Sequence, residues 1–250
     1  MNNKRKREGA TAADPPPDDT TPPTDDTTWS AGDFTLISSN NVRFRVDSCF
    51  IFAASAAFSD ARGLSGDANK TVTFTDTGFE TKETLGDFFS LVTLGKLPPE
   101  FFVDGNKYSD ACERVARPVT FLQKYGCGAI IEVLKAVIHS EILVWRPNRV
   151  TPRDGLPGLV LGAMTDDVDF CVLAMQAGCQ VDDLVTCPID FCRPDSYDLV
   201  PINMPLRVAR LIPTDYLWAL SYSWPGKVEG WRNKFVALMK EVKESNSKRT

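Results

Sequence analysis

A single histidine, His139, is all that the sequence offers to chemistry run on imidazole. It falls at the end of a predicted helix, and no motif sets a serine or cysteine beside it. Its expected role is that of a residue tolerated at a helix C-terminus. No stretch of about 18 apolar residues occurs, so no transmembrane helix is expected. The basic N-terminus is not followed by an apolar run, so no secretory signal is expected either. Positive charge is not in excess: 28 Lys and Arg stand against 33 Asp and Glu, a net charge of −5. Coating nucleic acid needs a basic face to neutralise phosphates, and neither a zinc finger nor a basic helix is present. Direct nucleic-acid binding is therefore not expected. Gly155, Gly158 and Gly162 lack the Lys-Ser/Thr ending of a phosphate loop.

Cysteine is not scarce, but its pattern is uninformative for ligation. Cys49, Cys112, Cys127, Cys171, Cys179, Cys187 and Cys192 are odd in number and loosely spaced, which reads as reduced thiols. Cys187 and Cys192 have no second pair to complete the four ligands of a structural zinc, so no metal or cofactor is expected. Asn69-Lys70-Thr71 matches a glycosylation sequon that a chain outside the secretory route does not use. Asp166-Asp167 reads as helix-start carboxylates favoured by the macrodipole, not as an acid–base couple. No catalytic site can be assembled from these residues, and the expectation is a protein that is not an enzyme.

What is present is a globular composition, 43% hydrophobic and 24% charged. Residues 1–31 differ: Pro15, Pro16, Pro17, Pro22 and Pro23 alternate with Asp and Thr, and almost nothing is aliphatic. Such a stretch cannot offset its ordering entropy and is expected to be a disordered tail. Lys4-Arg5-Lys6-Arg7 within it is a candidate nuclear-targeting run, so the expected location is the nucleus, the cytoplasm or both. Order is expected from Gly32. Asp33–Ile37 reads as a strand with polar flanks and Val42–Val46 alternates with period 2; with Ser38-Ser39-Asn40-Asn41 between them they predict a β-hairpin.

Asp47 is a predicted N-cap for a helix spanning Phe50 to Phe58. That helix has two apolar stripes, Ile51/Ser55/Phe58 and Phe50/Ala54/Ala57. A third strand is predicted over Thr71–Thr75, and a helix carrying Leu85, Phe88, Phe89 and Val92 ends at Gly95. Asp110 and Glu113 read as a capping pair, Pro118 as a kink or break, and Ile130 to Ile138 as an amphipathic helix. Beyond about 141, Pro147, Pro152 and Pro157 predict a loop, and Thr165 a cap for a helix carrying Val168, Cys171, Val172 and Met175. A second Pro-studded loop is expected from Pro188 to Pro205. Pro225 would open a last helix carrying Val228, Trp231, Phe235, Leu238 and Val242. The bland expectation for that last stripe is burial against the rest of the chain.

Over residues 32–140 the chain resembles the BTB/POZ family. The Asp33-led strand and Val42-Arg43-Phe44-Arg45-Val46 are similar to its opening strands. Asp47 to Phe58 follows its helix signature His-x-x-φ-Leu-Ala-Ala-x-Ser-x-x-Phe, with Asp47 in place of the histidine. The Leu91–Leu97 segment, and the helix pair from Leu122-Gln123-Lys124-Tyr125 to Ile138, follow in the family's order.

The resemblance implies an α+β, BTB/POZ fold: a small sheet of about three strands with a cluster of helices. A mainly helical extension over 141–250 is similar to that of BTB proteins from basidiomycete fungi. It also implies a protein–protein interaction module that forms a homodimer through the first strand and helix. Asp33, Phe34, Phe50, Ala54 and Ala57 are the interface candidates. The family often has a basic residue that pairs with the strand-one Asp, and Ser48 stands there instead. Asp33 is thus expected to lack its usual partner, which argues against co-repressor binding in that pocket. An alternative the resemblance permits is a substrate adaptor of a cullin-3 ubiquitin ligase, whose hydrophobic-x-Glu motif is met only loosely by Leu97-Pro98-Pro99-Glu100.

Overall fold

The computed structural model describes residues 21–62, 71–99, 101, 108–144, 155–178, 204–223 and 230–248. Alternation of apolar and polar residues forms the predicted hairpin. Strands β2 (Phe34–Ile37) and β3 (Val42–Val46) pair antiparallel, with Phe34 opposite Val46 and Leu36 opposite Phe44. Those four side chains are buried and line one face of the sheet. The turn between the strands is held by Ser38, whose hydroxyl oxygen accepts the Val42 N–H at 3.0 Å. The predicted third strand is present as β4 (Thr71–Thr73), two residues shorter than expected; it pairs parallel with β2 and occupies one edge.

The other edge corrects the expected tail. Thr24–Ser30 forms a strand, β1, parallel to β3, giving a four-stranded sheet in the order β1-β3-β2-β4. Composition hid it because its anchors are polar or solitary. Asp26 is buried, and its carboxylate accepts the N–H groups of Thr28 and Trp29 at 2.8 and 3.0 Å. That turn sets the Trp29 ring 5.6 Å from Phe89. Asp25 pairs with Arg43 at 3.3 Å and Asp26 with Lys82 at 3.7 Å. Gly32 lets the chain cross the end of β3: its φ is +146°, and a Cβ there would lie 2.2 Å from the Val46 carbonyl carbon.

The predicted helix from Phe50 to Phe58 is two short helices, α1 (Ser48–Ala54) and α2 (Ala56–Arg62). Ser55 between them has extended backbone. Its hydroxyl accepts the Phe58 N–H at 3.1 Å and donates to the Tyr125 carbonyl at 2.6 Å, capping α2 and tying it to a distant turn. Asp47 makes no side-chain capping bond. Helix α3 (Lys82–Leu94) buries Leu85, Phe88 and Phe89 and ends at Gly95, as expected.

Helix α4 (Tyr108–Lys124) runs as one element through Pro118, so the alternative of two short pieces is not what forms. Pro118 and its neighbours Val115, Ala116, Val119, Phe121 and Leu122 are buried, and this packing outweighs the lost backbone bond. Helix α5 (Gly128–Val144) buries Ile130, Leu134 and Ile138 and continues past His139, which therefore lies inside a helix and not at its end.

The extension is helical sooner than expected. Gly155–Met164, read as part of a proline loop, is the nearly wholly buried helix α6, with Pro157 in its first turn. Helix α7 is Val168–Gly178. Its cap is Asp167, which accepts the Phe170 N–H at 2.9 Å, and not Thr165, whose hydroxyl donates back to the Leu161 carbonyl at 2.8 Å. A helix-start role for Asp167 was expected. Helices α8 (Leu206–Ala209), α9 (Thr214–Ser223) and α10 (Trp231–Ser247) follow. In α10, Trp231, Phe235 and Met239 are buried against this chain, as the bland expectation had it, while Pro225 and Val228 lie outside the described residues.

Two hydrophobic clusters result, and α4 serves both. Val115, Val119, Phe121 and Leu122 face the sheet, α1–α3 and α5, a cluster that also takes Leu161 and Phe170 from the extension. Cys112 and Ala116 face the second cluster with Leu156, Leu159, Cys171, Val208, Tyr216 and Phe235. The molecule is α+β, and the described helices of the extension, α6–α10, share buried clusters with α4 and the segment that precedes them.

Candidate interaction surface

The sequence placed five residues on an interface, and the structure divides them. Phe34 is buried, its ring 5.4 Å from Phe52 and 6.5 Å from Phe58. Ala54 is 9% exposed and belongs to the same core. Both are corrected from interface to core. Phe34 lies on the buried face of the sheet, and Ala54 points inward with Ile51 at the end of α1, before the break at Ser55. Asp33, Phe50 and Ala57 remain on the surface. Phe50 is 41% exposed, one of several large apolar side chains on the surface with Leu94, Leu206, Trp218 and Tyr222. Cys49, Ala53, Ala56 and Ala57 are exposed on the same helix pair. The outward surface is thus one aromatic side chain among small ones, at helical spacing.

Asp33 is not without a partner. Its Oδ1 accepts the Ser48 N–H at 2.7 Å and its Oδ2 accepts the Ser48 hydroxyl at 2.9 Å. The residue thought to have replaced its partner is itself the partner. Arg43, on the neighbouring strand, is engaged with Asp25.

The polar groups beneath this surface are used in packing. Glu80, 1% exposed, sits where the hairpin turn, the end of β4 and the end of α4 converge. Its carboxylate accepts from Lys124 Nζ at 2.6 Å, Tyr125 hydroxyl at 2.5 Å, and the N–H groups of Thr75 and Asp76 at 2.9 and 2.7 Å. Burial alone would raise its pKa, but the bonds from Lys124, Tyr125, Asp76 and Thr75 outweigh that and hold it at about 2. No spacing in the sequence links Glu80 with a Lys-Tyr pair 44 residues on, so sequence reasoning missed it.

A second knot holds the α6–α7 turn. Lys135 bonds Asp167 at 2.8 Å and Glu132 at 2.9 Å. Burial disfavours both charges, yet their bonds leave Lys135 raised and Asp167 lowered. Asp166 accepts the Tyr216 hydroxyl at 2.8 Å and pairs with Lys243 at 3.0 Å. Burial pushes the Cys112 thiol up to about 12 and Cys127 up to about 11. Such thiols are poor nucleophiles.

Among the described residues there is no group of His, Cys, Asp and Glu that could hold a metal, and no helix long and apolar enough to cross a membrane. Cys187, Cys192, Asn69, Glu100 and Lys4 to Arg7 lie outside them. No family model matches the chain, and neither a curated protein nor a solved structure matches it significantly.

Proposed function

We propose that the chain is a protein–protein interaction module of BTB/POZ type that self-associates through the outward face of α1 and α2 and recruits other proteins, with a role in the nucleus. The observation that carries this reading is Phe50, left 41% exposed on a helix pair whose other face is in the core. Covering the exposed 41% of Phe50 would stabilise an assembly by roughly 1 kcal/mol, and in a two-fold interface the gain is made twice. The order of hairpin, short helix pair, parallel strand and helices supports the family reading. Light scattering after size exclusion tests self-association.

Nothing comparable favours the cullin-3 adaptor reading: Leu97 is turned into the core. Co-purification of cullin-3 on pull-down would restore it. The nuclear role rests on Lys4-Arg5-Lys6-Arg7. Replacing all four by Ala in a fusion too large to diffuse through nuclear pores should move it from nucleus to cytoplasm. An unchanged distribution would remove that part of the proposal.

A further inference from the structure

Strand β1 is held on the sheet by few side chains. It is an edge strand, and within Thr24–Ser30 only Asp26 is buried and only Trp29 half-buried. Its pairing with β3 is interrupted: Asp25 lies opposite Arg43, but the next matched pair is Ser30 with Arg45. Between those points the chain turns on the Asp26 carboxylate, which accepts the Thr28 and Trp29 N–H groups. Beyond backbone pairing, the strand is tied down by two ion pairs with partly exposed cations, Asp25–Arg43 and Asp26–Lys82, and by one ring. That ring, Trp29, covers Phe89, which packs in turn on Phe44 at 5.3 Å; both phenylalanines are wholly buried. The chain leaves β1 through Gly32, whose φ of +146° and close pass over Val46 admit no side chain.

We propose that β1 is a releasable strap over a strand-docking edge: it lifts from β3 about Gly32 while the rest of the fold stays intact, and the bared edge takes an extended segment of another protein that carries a carboxylate and, three residues on, an aromatic ring. The chemistry of that segment is set by β1, which occupies the edge in cis. The carboxylate meets Lys82 where Asp26 now does, and the ring meets Phe89 where Trp29 now does. The backbone N–H and C=O groups of β3 supply the pairing. Arg43 and Lys82 flank the edge, so it favours an acidic strand. Few buried apolar contacts resist release, and solvent and salt weaken both ion pairs. Release needs no second copy and no contact at Phe50.

Amide hydrogen exchange on the full chain and binding of a fluorescein-labelled peptide spanning Thr21 to Ala31 test this together. The β1 amides should exchange at least roughly tenfold faster than those of β2 and α5, and faster still when salt is added. Trp29→Ala in the chain should quicken β1 exchange by roughly a further tenfold and leave β2 and α5 unchanged. Apparent affinity scales with the open fraction, so the peptide should bind the Trp29→Ala chain roughly tenfold more tightly than wild type. The Trp29→Ala form of the peptide should bind that chain at least roughly tenfold more weakly than the unaltered peptide does. Should the Trp29→Ala chain not fold, Asp25→Asn in the chain decides by the same criteria, with a smaller factor. β1 amides that exchange only in step with β2 and α5 overturn the proposal. So does a peptide that binds the two chains equally, or neither. A Trp29→Ala chain that associates with itself and takes up no peptide pairs its edge with a second copy, and overturns it as well.

Discussion

Glu80 shows how much one buried carboxylate can organise. Its four side-chain bonds and its backbone carbonyl, which accepts from Ser39, join three segments far apart in sequence. Its pKa lies near 2 in the folded chain against an ordinary 4.5. A depressed carboxylate contributes stability that is present above its unfolded pKa and is lost as pH falls through the folded one. Between pH 4.5 and 2 the wild type should lose stability that Glu80→Gln does not. At neutral pH, Glu80→Gln should cost about 2 kcal/mol, discounted because Lys124 is half exposed. Urea unfolding of both proteins across that pH range checks the sign and the window. Parallel pH dependence of the two would show that Glu80 is not the group responsible.

Ala54 and Ala57 make the opposite point about residues. They are the same amino acid on what the spacing reads as one stripe, yet one is buried and the other exposed. The break at Ser55, fixed by a carbonyl 70 residues away, rotates α2 relative to α1. Ala54→Glu should therefore unfold the protein, at a cost of several kcal/mol for an unpaired buried charge. It is not a dimer-breaking variant. Circular dichroism distinguishes the two outcomes.

Among the elements, those with a clean period were legible. β2 and β3 alternate, and α3, α5 and α10 repeat their apolar residues every three or four positions. β1 was illegible because one tryptophan and two aspartates hold it, in a stretch whose prolines and threonines read as disorder. α6 was illegible because its glycines and proline are ordinarily breakers. Here Pro157 occupies a first turn, and Gly162 is where α7 comes closest: a Cβ there would lie 2.7 Å from Cys171 Sγ and 2.8 Å from its backbone nitrogen. Gly162→Ala should thus destabilise by about 1–3 kcal/mol, against the usual gain from replacing a helical glycine. A lowered urea midpoint at unchanged slope is the expected result. A raised midpoint would mean that the two helices can separate at little cost.

At the scale of the whole molecule, the extension and the preceding region share α4. Cutting the chain after residue 140 would strip Cys112 and Ala116 of their neighbours and remove Leu161 and Phe170 from the first cluster. The full chain should unfold in one transition, with tryptophan fluorescence and circular dichroism coincident, and the truncated chain should aggregate or bind a hydrophobic dye. A stable, soluble fragment 1–140 would show the two clusters to be independent. Exposure was only partly legible: Phe50 and Ala57 are on the surface, Phe34 and Ala54 are in the core, and the partner of Asp33 is the residue that had seemed to replace it.

The central claim is self-association through Phe50, and light scattering coupled to size exclusion on wild type and Phe50→Asp tests it most directly. At concentrations above roughly 10 μM, the wild type should elute at twice its 27.6 kDa chain mass. Phe50→Asp should elute at the chain mass with an unchanged circular dichroism spectrum, because the side chain is outside the core. A wild type that is monomeric under these conditions, or a Phe50→Asp that remains a folded dimer, contradicts the account.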